Sequence, residues 1–316
     1  MGLKEAARIP LPGHSEEGEF DHAAVDRVSD RLFVAHPSND AVEVVDLRTR
    51  RHLRSIRGVP GVAGVWVDAG RRRLFTSNRG ADTACAYRIQ EDGEEELLRV
   101  RTGARPNGMA FDPDRQLWMI AGVGDTARSG APPTLTFVDL REGKTVSQLT
   151  LPARTRWATY HKPTDAFYVA LADPPAILSI PGSDPSKVGR SFPIPARGPH
   201  GLEQDPGGRT LYSACDEGTL VALDLMTGQV TRLGSLPGPP DVLWLDPGTK
   251  HLFVAIGEPG RVLVFGIDPP RLVETVPTAP GAHTLTVDPL RHEVHVFLPE
   301  SHEVLVLIDP DRSDPV

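Results

Sequence analysis

Hydrophobic and polar positions alternate along this chain in short bursts, and the bursts repeat. Apolar runs of four to eight residues are bounded by Asp, Gly, Pro and Asn clusters, the pattern of short strands joined by tight turns. Residues 198–232 hold one complete copy. An apolar strand enters through Pro199-His200-Gly201 and ends at the turn Asp205-Pro206-Gly207-Gly208. A second strand, Thr210–Cys215, meets the polar turn Asp216-Glu217-Gly218. A third, Thr219–Leu225, ends at Met226-Thr227-Gly228, and a fourth begins at Gln229.

The turn aspartate recurs as Asp26, Asp68, Asp112, Asp205, Asp246 and Asp288, with Lys162 standing in once. The interval is about 40–50 residues, that of a four-stranded propeller blade. Second strands read alike, as in Leu32-Phe33-Val34-Ala35, Leu74-Phe75-Thr76-Ser77 and Leu252-Phe253-Val254-Ala255. The expected fold is therefore all-β: seven four-stranded antiparallel blades in one domain over residues 1–316. The seventh copy has only three strands before the chain stops. Glu5–Leu11 is expected to supply the fourth and close the ring, which would remove exposed sheet edges.

A lead-in Pro-x-Gly, an Asp turn, "LFVA", a polar turn and "VxVVDLxT" together resemble the YVTN-repeat β-propeller family over nearly the whole chain. The resemblance implies a propeller that presents a small molecule or a protein partner with its channel mouth. Two narrower resemblances imply an enzyme. Pro106-Asn107-Gly108 resembles a metal-binding segment of the gluconolactonase family. Pro240-Asp241-Val242 partly resembles its second such segment, with Val242 where Gly is usual. Pro199-His200-Gly201 and His283 are similar to virginiamycin B lyase-like propellers, which implies a histidine general base beside magnesium. On that alternative a lactonase-like hydrolase or lyase would use His200 or His283 as base and Asp241 and Asn107 on the metal.

Composition narrows the classes. The formal net charge is −8, from 34 basic and 42 acidic residues, which argues against a nucleic-acid binder. No apolar run reaches the length of a membrane span, and the N-terminus lacks a hydrophobic signal core. The chain as written reads as a cytoplasmic monomer. Its two cysteines, Cys85 and Cys215, fall in different blades, so no disulfide framework is expected.

Counting five residues back from each turn residue gives a ring at the channel mouth: Asp21, Ala63, Asn107, Trp157, His200, Asp241 and His283. His22 sits one position away, and Cys215 ends a second strand on the same face. His200, Asp241, His283 and Asp21 or His22 come from neighbouring blades. Two imidazoles and a carboxylate suit a divalent metal ion; otherwise the mouth takes a ligand without one. Ala63 serves in blade two, so replacing His200 or His283 is expected to cost the fold little. Trp66, Trp118 and Trp244 read as core residues, and His161 as a packed one.

Overall fold

A computed structural model describes residues 2–15, 18–205 and 207–310. Of the turn Asp205–Gly208, Pro206 lies outside the described residues. Seven four-stranded antiparallel sheets form the ring, each built from strands consecutive in the chain apart from the last. Among the described residues the helical content is three short 3-10 turns.

Each blade runs from the channel outwards. In blade one the strands are Ala23–Asp26, Arg31–His36, Ala41–Asp46 and Arg51–Arg57. The second strand is buried along its whole length, whereas the fourth is largely solvent-facing. A second strand packs on a neighbouring blade with both faces, so it cannot alternate apolar and polar residues as a half-solvated strand does. Phe33, Phe75 and Phe253 take the same place in three blades and are fully buried. Removing one such ring would cost about 3–5 kcal/mol. The buried side chains fall into seven clusters, each drawing on adjacent blades.

The recurring aspartate holds the innermost turn. Asp26, Asp112, Asp246 and Asp288 are fully buried, and each accepts a hydrogen bond from a backbone N–H two residues on. This is the Asx turn, which gives a buried carboxylate backbone partners. Blade four departs from the expected register. Its inner strand is Thr155–His161, with His161 paired to Ala166 as Asp112 is to Leu117. His161, not Lys162, occupies the turn position, and its Nδ1 accepts from the Thr164 N–H. His161 is also fully buried, as its sequence context suggests.

The ring closes as expected. Lys4–Pro10 pairs antiparallel with Glu303–Ile308 and completes the seventh blade. Arg50 of blade one ties this strand down, donating to the Ala6 carbonyl at 2.9 Å and to Glu293 at 3.0 Å. The Gly122–Pro133 loop of blade three turns back on itself through a bridge between Asp125 and Ala131. No helix among the described residues is long and apolar enough to cross a membrane.

Candidate functional site

The mouth is built by the inner strands. In five of them a β-bulge interrupts the first half, as between Pro199 and Gly201 and between Pro240 and Leu243. A bulge opposes two residues to one and re-aims the side chains around it. Positions five and four before the turn residue therefore both serve the mouth. The shift to His161 changes one member of the first ring: blade four contributes Arg156, not Trp157. The ring is Asp21, Ala63, Asn107, Arg156, His200, Asp241 and His283.

Position four explains Trp157. Blades two, three and five have glycine there, because the next inner strand is too close for a side chain. A Cβ on Gly64 would stand 2.3 Å from the Asn107 carbonyl, and one on Gly108 2.6 Å from that of Arg156. Blades one and four carry His22 and Trp157 instead. Their rings stack across the channel, centroids 4.0 Å apart and tilted by 35°. Burial lowers the pKa of His22, so this ring is neutral where it meets the indole.

The predicted arc does converge. His200 Nε2 lies 2.8 Å from Asp241 Oδ1 and its Nδ1 lies 2.8 Å from Asp216 Oδ1. His283 Nε2 is 3.6 Å from Asp241 Oδ2 and 3.8 Å from Glu19, while its Nδ1 donates to the Gly281 carbonyl. Burial alone would lower the pKa of His200, but Asp241 and Asp216 raise it to about 9. Asp241, which burial would otherwise raise, is held well below the usual carboxylate range by His200 first and by His283. With a carboxylate at each nitrogen, His200 is an imidazolium that donates twice. The Arg156 guanidinium also lies 3.1 Å from Nε2; this is a close approach of two cations, offset by the Asp216 carboxylate that Arg156 bonds at 2.7 Å. His283 is likewise raised, burial opposing and Asp241 favouring its charge.

The other calculated positions differ. Asn107 is buried with its side-chain Oδ1 unpartnered among the described residues. Asp21 pairs with Arg79 at 3.0 Å. Cys215 is fully buried in the cluster between blades four and five, and burial raises its thiol to about 12. It belongs to the core rather than to the mouth, because its side chain points into the blade interface. Among the described residues no group of three or more His, Cys, Asp or Glu side chains is arranged to hold a metal ion.

Two features escape residue-by-residue counting. The first is a run of guanidiniums on the side of blades two to four. Burial depresses the pKa of Arg154, and Arg156, Arg105 and Arg79 depress it further. The second lies deeper. Trp66 and Trp244, expected in the core, are half-buried and line a channel cavity of about 220 Å³ together with Trp157. Only Trp118 is fully buried as expected. Both tryptophans stand two residues before the turn position, a place held by Ala24, Ala110, Thr159, Glu203 and Thr286 in the other blades. Counting that second ring in the sequence would have found them.

No family model matches the chain, and no curated protein matches it in sequence. Among solved structures, hydrazine synthase of Kuenenia stuttgartiensis is similar to it, with a TM-score of 0.81 and 16% identity over 95% of this chain and 98% of that one. This likeness shows the fold alone: the protein is a seven-bladed β-propeller.

Proposed function

We propose that this propeller, of the YVTN type, is a binding protein whose mouth takes a small molecule bearing an oxyanion, such as a carboxylate. The observation that carries this reading is the gathering of Arg79, Arg105, Arg154 and Arg156 beside the charged His200. It occurs in a chain whose formal net charge is −8. Planar guanidiniums match oxyanions in bidentate geometry. Arg79 and Arg156 each spend part of their donor capacity on Asp21 and Asp216, yet their Nε atoms are buried without a partner. Arg154 is exposed and makes no ion pair among the described contacts. The fixed carboxylates hold Arg79 and Arg156 in place, and the exposed Arg154 is the guanidinium open to an incoming anion.

Calorimetric titration with succinate and with inorganic phosphate at low salt tests this. Arg154→Ala should weaken binding by about tenfold, the loss of roughly 1.4 kcal/mol, with no change in melting temperature. Equal binding by the variant, or no binding by the parent, would overturn it. A metal-dependent lyase or hydrolase is the competing reading. Of the expected bases only His283 keeps a ring nitrogen outside a close pair, with Nδ1 fixed on a carbonyl as in many metal-bound histidines. Binding that requires added magnesium or zinc would favour that alternative.

A further inference from the structure

Below the His22–Trp157 stack, the channel cavity is lined by Trp66, Trp157 and Trp244, with Phe111 and Tyr160 beside them. The three indoles come from blades two, four and six, so they face one another across the axis rather than stacking in one blade. Each is half-buried and rests against a hydrophobic cluster on one side. The other side of Trp66 and Trp244 is left to the cavity, whereas His22 stacks on Trp157 and leaves it to line the wall. One carboxylate enters this enclosure, Glu203 of blade five. The Gln204 N–H donates to its Oε1 at 2.7 Å, and it has no ion pair among the described contacts. Tyr160 is the only other titratable side chain on the lining, and its hydroxyl donates outwards to Asp165.

We propose that this cavity is a second binding site, for a small organic cation of the methylated ammonium class, held between the three indoles and countered by Glu203. Two requirements of such a ligand are met. An ammonium stripped of water is attracted to the faces of tryptophan rings. Methyl groups on the cation replace hydration with apolar contact against the indoles, while Thr159 and Gln204, which also line the cavity, are bonded to each other through the Gln204 amide N–H. A single opposite charge inside the cage supplies the Coulomb attraction that aromatic faces alone do not, and in a low-dielectric enclosure it is strong. Without a guest Glu203 has no cation to answer it. Burial accordingly raises its pKa to about 7, with no neighbouring charge contributing. The site is distinct from the mouth: its chemistry is aromatic and anionic where the mouth is cationic.

Titrating the full chain with tetramethylammonium chloride tests the proposal, by calorimetry and by tryptophan fluorescence. Sodium chloride controls for ionic strength, and tert-butanol for shape without charge. Three of the four tryptophans line the cavity, so emission should change on saturation. Binding should be saturable well above pH 7 and weaken as the pH falls through about 7, where Glu203 takes up its proton. Glu203→Gln should reduce affinity by about tenfold or more, and Trp244→Leu by several-fold. Arg154→Ala should leave tetramethylammonium binding unchanged, which separates this site from the mouth. Glu203→Gln preserves shape and can be checked for folding by its melting curve. Absence of saturable binding above pH 7 overturns the proposal. So does binding of tert-butanol as tight as that of the cation, or unchanged affinity in a folded Glu203→Gln.

Discussion

His200 and Glu203 lie three residues apart on one strand, Pro199–Gln204, and the protein treats them oppositely. Both are largely withdrawn from solvent, and burial alone would favour the neutral form of each. His200 meets two carboxylates at 2.8 Å and stays charged. Glu203 meets indoles and backbone, and burial pushes it towards the protonated acid. Around His200 the mouth's charges thus answer one another, Asp216 and Asp241 against the imidazolium. The channel below holds one charge without an answer. Position along the strand does not separate them; partners do.

Removing the central partner should have the largest effect. Asp241→Ala leaves the His200 imidazolium facing Arg156 with one of its two counter-charges gone, and should destabilise the fold by about 3–5 kcal/mol in urea unfolding. A loss below about 1 kcal/mol would show that the network is solvated rather than structural. The expectation that His200 is dispensable for stability is reversed for the same reason: its side chain is 16% exposed and joins two carboxylates.

The pH dependence comes next. His200 titrates higher in the folded chain than in the unfolded one, about 9 against 6.5. Its stabilisation is complete below pH 6.5 and disappears as the pH rises through 9, a loss of about 3 kcal/mol. His200→Gln should flatten that part of the profile at the lower level. Glu203 is also raised, from 4.5 to about 7, so it too loses stability with rising pH, between those two values. The two windows barely overlap, so a pH ramp separates the two losses and substitution assigns each to its residue. Glu203→Gln should raise stability above pH 7 by about 1–2 kcal/mol and change nothing at pH 4, whereas His200→Gln lowers it. If Glu203→Gln destabilises at both pH values, the carboxylate has a structural partner and the contrast fails.

The fold was legible because its signals are local and repeated. Leu32-Phe33 and Leu252-Phe253 sit in equivalent strands, and Asp26 or Asp288 closes an equivalent turn. The slip in blade four has a physical cause. The turn requires a hydrogen-bond acceptor, and counting by residue type sought a carboxylate. His161 Nδ1 does the same task, so the turn position falls on His161 rather than Lys162 and the ring position on Arg156 rather than Trp157. Convergence of His200, Asp241 and His283 was legible from the repeat. Their protonation was not, since it depends on Asp216 and Arg156, which arrive from a turn of the same blade and from a different blade. Trp66 and Trp244 looked like core because a tryptophan in a strand usually is; on an innermost strand the second face borders the channel.

The closure of the seventh blade has a consequence for how the protein is made. Arg8 and Glu303 are 295 positions apart and meet only across the finished seam. At roughly 5–20 residues per second, a ribosome would take on the order of 15–60 seconds to deliver the second after the first. Throughout that interval the leading strand is a loose edge, able to pair with another nascent chain. Its sequence suits the wait: Lys4, Glu5 and Arg8 charge it, and Pro10 withholds a donor at its end. Charge and proline are what keep an edge from recruiting strangers. This strand is thus made long before its partner Glu303–Ile308, and its polarity fits that delay.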